Sequence, residues 1–161
     1  RGNWRLFMDA DNSTSLAEFD RMLPFTKQGF DVLIGSRAVP GVHLTPPQPW
    51  YRSLLGKFGN RIVQAALLPG IRDTQCGFKC FSEDAARAIF SVAVIDRWGF
   101  DMEALALARR FGYRVQELPV TWVNDVRSTV PASAYLTTLI EVWRIRRNIA
   151  SGRYGTLPSR L

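Results

Sequence analysis

Leu6-Phe7-Met8-Asp9-Ala10-Asp11 is an apolar run that stops abruptly in two carboxylates one residue apart. Such a run reads as a buried strand delivering acid to a rim. In an open α/β sheet the carboxyl ends of the strands face the ligand crevice, so two acids placed there can hold a divalent cation against a phosphorylated substrate. Alone the pair is a weak signal, because acids at that spacing also cap helices and occupy turns.

The residues that follow supply the rest of a supersecondary unit. Asn12-Ser13-Thr14-Ser15 is rich in helix-capping side chains, and Ser15 with Glu18 has the spacing of a capping box. A helix is predicted from about Leu16, with Leu16, Phe19, Met22 and Leu23 on one face, Pro24 bending or ending it, and Gly29 closing the element. Phe30 to Gly35 is short and β-branched and reads as a second buried strand. Strand, helix, strand is a βαβ unit, which predicts a parallel sheet with a right-handed crossover.

Beyond it, Pro40, Pro46, Pro47 and Pro49 make residues 36–49 a long loop, and His43 within it has no assigned role. Tyr51 to Leu68 has helical spacing, with Arg52, Lys57 and Arg61 on a basic face. Ile71 to Phe81 is polar, glycine-bearing and aromatic, neither clean strand nor clean helix, and suits a pocket wall. Ser82 should cap a helix with Glu83 and Asp84 in its first turn, and a second, Ala/Leu-rich helix should run from Met102 to Phe111. Val115 to Val123 reads as a strand near a sheet edge, because Pro119 cannot donate to a ladder.

The last helix, about residues 134–150, carries Leu136, Leu139, Ile140 and Trp143 on one side and Arg144, Arg146 and Arg147 in its C-terminal half. Those cations suit the helix dipole, and the same pattern suits an element lying on a membrane surface. Residues 151–161 are Gly, Ser, Pro and Arg and read as a disordered tail, leaving residues 1–133 as the α/β domain.

With 161 residues and 47% hydrophobic content, one domain with a real core is expected. No run approaches the ~18 apolar residues of a membrane span. Arg1-Gly2-Asn3-Trp4 leads straight into a strand with no leader pattern, which predicts a chain cut from a longer one. A net charge of +7 implies an anionic partner. Nucleic acid is disfavoured, since the arginines are scattered without interleaved aromatic platforms. Cys76 and Cys80, with no second cysteine pair, argue against zinc and for reduced thiols in a cytoplasmic setting.

Three polar islands each follow an element that ends: Asp9-Ala10-Asp11, Gly35-Ser36-Arg37, and Asp73-Thr74-Gln75-Cys76-Gly77-Phe78-Lys79. With Arg52, Arg97-Trp98-Gly99-Phe100-Asp101-Met102-Glu103, Glu117-Leu118-Pro119-Val120-Thr121-Trp122 and Arg127-Ser128-Thr129-Val130, their order resembles the second, C-terminal half of the catalytic domain of family 2 inverting glycosyltransferases. The resemblance spans residues 4 to about 147, and residues 73–79 are its specific part. It is closest to the branch that transfers a sugar to a polyprenyl phosphate, the dolichyl-phosphate glucosyltransferases beside the mannose synthases.

This resemblance implies a partial GT-A (Rossmann-like) α/β domain, mostly parallel with flanking helices, whose N-terminal βα units are missing. It implies transfer of a hexose from a nucleotide-sugar donor (UDP-glucose or GDP-mannose) to a polyprenyl or dolichyl phosphate, with inversion. Mg2+ or Mn2+ would be held by Asp11 and Asp9. Asp11, Asp101 and Arg37 would be the catalytic group, and Asp9, Arg52, Asp73, Gln75, Lys79 and Arg127 would bind substrate. Gln75-Cys76-Gly77-Phe78 tilts towards the glucosyl branch. Ser13, where some mannose synthases place a glutamine, leaves the metal shell open.

The family's opening V-I-P-x-Y-N-E motif, which grips the nucleotide base, is absent, so residues 1–161 alone are expected to transfer little or no sugar. The expected setting is the cytoplasmic face of an anionic membrane, touched peripherally or through segments outside this chain. The competing readings are transfer to a polysaccharide or lipid-sugar hydroxyl, with Asp101 as base, and a non-catalytic basic membrane-docking module.

Overall fold

The computed structural model describes the backbone of residues 2–45, 50–96, 98–123 and 133–155, and the side chains of residues 2–42, 56–96, 98–123 and 136–155. In chain order the elements are β1 (Trp4–Met8), α1 (Glu18–Thr26), β2 (Val32–Ser36), β3 (His43–Thr45), α2 (Trp50–Ala66), β4 (Phe78–Ser82), α3 (Glu83–Phe90), α4 (Phe100–Arg110), β5 (Val115–Pro119), β6 (Thr121–Val123) and α5 (Ser133–Ala150).

The acid-tipped run is a strand, as expected, and α1 leads from it to β2. The two strands point the same way but do not pair. β4 lies between them and is antiparallel to both, with Met8 opposite Phe78 on one side and Val32 opposite Phe81 on the other. β5 adds to β2 in parallel, giving the order β1-β4-β2-β5. A mostly parallel sheet was expected; instead two of the three pairings are antiparallel. The reason is the path through α2. The chain leaves β2 at one rim and starts β4 at the same rim, so β4 must run back. Residues 78–82, read from sequence as pocket wall, are therefore a buried central strand.

Helices cover both faces of this sheet, which is why β2 is buried at every position. Val32, Ile34 and Phe81 join α3, α4 and α5 in the larger core cluster, while Leu33, Phe78 and Cys80 face the smaller one with Met22 of α1. The period of two along each strand decides the face. Lys79, between Phe78 and Cys80, is thereby turned towards the α4 side.

Local signals held unevenly. Ser82 caps α3 as its sequence predicts, accepting from the Ala85 amide at 3.3 Å. The capping box at Ser15 and Glu18 does not form. Ser15 accepts from the Ala17 amide, and Glu18 instead pairs with Arg21 at 2.9 Å, so α1 starts two residues later than expected. The proline-rich loop contains β3, which pairs in parallel with β6 as a separate two-stranded sheet. The strand expected over residues 115–123 breaks after Pro119 into β5, an edge strand as its proline requires, and β6.

α5 packs through Val142 and Ile145, while Leu136, Leu139, Ile140 and Trp143 share the opposite, exposed side. The first residues of the supposed tail are ordered. Tyr154 is buried and donates to Glu103 at 2.6 Å, and Asn148 donates to the Tyr154 hydroxyl at 3.1 Å. Residues 156–161 lie outside the described residues.

Candidate functional site

One sheet rim receives the C-terminal ends of β1 and β2, the segment entering β4, and the first turn of α4. Asp9 follows β1, and its amide donates to the Gly77 carbonyl at 2.8 Å. Its carboxylate lies against the Gly77 α-carbon: a methyl there would come within 1.8 Å of Oδ2. Only glycine leaves room. Asp11 is exposed in the following turn, where Asn12 takes φ 55° and the Ser13 amide donates to Asp11 Oδ1 at 2.9 Å.

Arg37 follows β2 and is committed to a carboxylate. Its Nε and Nη2 donate to Asp73 at 2.8 and 3.0 Å, and its amide donates to the same group at 2.9 Å. Its guanidinium also lies 5.4 Å from the ring centre of Trp122. Asp73 is held in turn by Glu117 of β5, which accepts from the Arg72 and Asp73 amides at 3.0 and 2.7 Å. Gln75 is exposed beside this pair, its amide donating to Asp73 Oδ1. Lys79 is 1% exposed; its Nζ donates to Asp101 Oδ1 at 2.6 Å and to the Cys76 carbonyl. Arg52 lies in α2 with its side chain outside the described residues, and Arg127 lies outside them altogether.

Electrostatics divide the acids. Burial works against the charged forms of both Arg37 and Asp73, yet their contact outweighs it, so Asp73 sits below the ordinary carboxylate range and Arg37 holds its proton more tightly than usual. Asp9 is raised by burial and by Asp11, and Asp101 chiefly by burial against the opposing pull of Lys79. Burial also pushes both free thiols, Cys76 and Cys80, up to about 11, so neither is a thiolate at neutral pH.

The signs fix a pH dependence. Asp73 is depressed, so its contribution is present above the unfolded carboxylate value near 3.9 and is lost as pH falls through its lower folded value. Asp101 is raised, so protonation favours the folded form as pH falls towards 4. Urea titrations in chelator from pH 7 to pH 2 should show the Asp73 contribution lost only below about pH 4, and D73N should flatten that acid limb.

The arrangement fits a divalent cation without enclosing one. Four carboxylates (Asp9, Asp11, Asp73 and Asp101) face two cations, Arg37 and Lys79, so this set carries a deficit of two positive charges. Among the described residues no three His, Cys, Asp or Glu side chains cluster as a ready-made metal site. Mg2+ is commonly held by one or two carboxylates plus substrate phosphates, which Asp9 and Asp11 could supply.

Sequence reasoning passed over Glu117 and Glu103. Glu103 is fully buried and accepts from the Val94 and Ile95 amides, fixing the loop before α4. Both lie inside the motifs quoted above; what the sequence hides is that Glu117 is met by two backbone amides, and Glu103 by two more and by the Tyr154 hydroxyl.

Among the described residues no helix is long and apolar enough to cross a membrane. No family profile matches the chain. It is 34% identical over 152 residues to the dolichyl-phosphate β-glucosyltransferase of Dictyostelium discoideum, covering 91% of this chain and 46% of that protein. It is 33% identical over 162 residues to the dolichyl-phosphate β-glucosyltransferase of Homo sapiens, covering 96% of this chain and 50% of that protein. Glycosyltransferase AglD of Haloferax volcanii is 32% identical over 123 residues, which are 76% of this chain and 19% of AglD. The chain thus spans about half the length of the curated dolichyl-phosphate β-glucosyltransferases it matches. Over nearly all of its own residues, and over that half of theirs, the chain is a homologue of the dolichyl-phosphate β-glucosyltransferases.

Proposed function

We propose that this rim is the acid-bearing part of a glycosyltransferase site that moves a hexose from a nucleotide sugar, UDP-glucose ahead of GDP-mannose, to a polyprenyl phosphate with inversion. The observation that carries the reading is the convergence of Asp9, Asp11, Asp73 and Asp101 on one rim of a chain with these relatives. In this reading an acceptor phosphate oxygen attacks the anomeric carbon as the bond to the nucleotide diphosphate breaks, inverting that centre. A phosphate monoester is nucleophilic at neutral pH, so Asp101 orients rather than deprotonates it.

Asp9 and Asp11 would hold Mg2+ or Mn2+, which supplies charge for the departing diphosphate. Gln75, exposed next to the Arg37–Asp73 pair, offers an amide to sugar hydroxyls. Arg37 commits its Nε–Nη2 edge to Asp73 and keeps only Nη1 for a phosphate oxygen, while Arg52 and Arg127 would offer whole guanidinium forks. The exposed side of α5 gives the acceptor's bilayer a place to rest. Leu136, Leu139, Ile140 and Trp143 form an apolar stripe, Arg144, Arg146 and Arg147 are exposed, and the Arg147 guanidinium is 5.6 Å from the Trp143 ring centre. In this reading the protein works at the cytoplasmic face of an anionic membrane.

The test is hexose transfer to a polyprenyl phosphate in anionic vesicles, using this chain within its full-length polypeptide. D11N should reduce turnover by about 100-fold or more with Mg2+ or Mn2+ present. Transfer to a sugar hydroxyl but not to polyprenyl phosphate, or full turnover by D11N, would overturn the reading.

A further inference from the structure

Lys79 is the least expected charge in the fold. It occupies the second position of a central strand, directly opposite Phe7 of β1 on one side and Ile34 of β2 on the other. The Phe7 and Phe100 rings meet edge to face, their centroids 5.0 Å apart. A lysine ammonium in such surroundings is costly unless paired and hydrogen-bonded, and apolar packing at such a site often stabilises a fold as well or better. Stability alone therefore gives little reason for a lysine here. At 1% exposure its ammonium also has no open path to a sugar in the crevice.

What the ammonium touches is informative. Its two hydrogen-bond partners are the Asp101 carboxylate on α4 and the Cys76 carbonyl on the segment entering β4. The residue after Cys76 is Gly77, whose α-carbon supports the Asp9 carboxylate and whose carbonyl accepts from the Asp9 amide. One ammonium thus ties together the footing of two rim acids that lie on different elements.

We propose that Lys79 is a positioning residue: it fixes Asp101 and, through the Cys76–Gly77 segment, Asp9 relative to each other, and it contacts neither donor nor acceptor. This rests on the rim being the transfer site, and it reassigns Lys79 from the sugar pocket to the support beneath it.

The test is a mutant cycle of K79M, D101N and K79M/D101N in the full-length polypeptide, read as kcat and KM, with amide NMR spectra of residues 1–161. K79M should lower kcat by about 100-fold with the nucleotide-sugar KM within about twofold, and the double variant should fall no more than about threefold below D101N. In the spectra, K79M should shift the Gly77 and Asp9 amides. Should K79M alone unfold, the double variant, which removes both charges together, provides the folded background for the same shifts. A raised KM, multiplicative losses in the cycle, or unmoved Gly77 and Asp9 amides would overturn the proposal. If the wild type transfers no hexose, the transfer reading fails, and the amide shifts alone decide whether Lys79 holds the two acids in place.

Discussion

Gly77→Ala is expected to reduce transfer by two to three orders of magnitude while costing only about 1–3 kcal/mol of stability. The added methyl would sit 1.8 Å from Asp9 Oδ2 and 2.0 Å from Asp9 Cγ, so one of the two must leave. The Asp9 side chain is the softer partner, because Gly77 is fixed by the hydrogen bond its carbonyl accepts from the Asp9 amide and by the strand that follows it. The carboxylate should therefore rotate away, and the fold should survive with one rim acid displaced. Thermal melts beside steady-state transfer separate these effects. A variant that melts normally and transfers normally would show that the contact between Asp9 and Gly77 has no bearing on the chemistry.

Asp73→Ala is expected to destabilise the chain by about 3 kcal/mol, the low end of the range for breaking a buried ion pair. The low end applies because the Arg37 side chain keeps 30% exposure and can rehydrate in part, while the Asp73 carboxylate it loses was 9% exposed. Asp73 accepts both the fork of the Arg37 guanidinium and the Arg37 and Gln75 amides, so removing it also frees the entry to β4. Urea unfolding of this chain measures the loss directly. A change below about 0.5 kcal/mol would mean that the pair behaves like an exposed surface bridge.

The features of the fold that announce themselves locally were readable from the sequence. β1, β2 and the helices follow from apolar period and from breakers such as Pro24 and Gly29. Ser82 works as a cap because its partner, the Ala85 amide, is three residues away. β4 was not readable, because a buried lysine and its aromatic neighbours look like a polar surface until the partner on α4 is known. Its direction was equally hidden, since no residue in Phe78–Ser82 records that the chain returns to the rim it left. The capping pattern at Ser15 and Glu18 misled for a related reason: Arg21 offers Glu18 a charged partner on the same helix face.

The site followed the same division. Asp9, Asp11, Arg37, Asp73 and Asp101 stand out in the sequence as candidates, and the structure brings the segments carrying them to one rim. Their internal commitments were not identifiable. Arg37 looked free to grip a phosphate and is instead clasped by Asp73, and Lys79 looked like a pocket wall and is instead beneath it. Glu117 and Tyr154 act through backbone amides and a buried hydroxyl, contacts that depend on elements far away in the chain.

The antiparallel strand at the sheet's centre also governs when the site can come into being. Among the described residues, residues 4–8 find their sheet partner in residues 78–82, and residues 32–36 are completed by residues 115–119. Such distant pairings close late, since the loop entropy must be overcome before any contact rewards it. Asp9 acquires its footing on Gly77 only when β1 docks onto β4. A partly folded or newly emerging chain would therefore carry both acids of the Asp9-Ala10-Asp11 edge without the geometry that makes them a pair, which ties the onset of any chemistry at this rim to the completion of the fold.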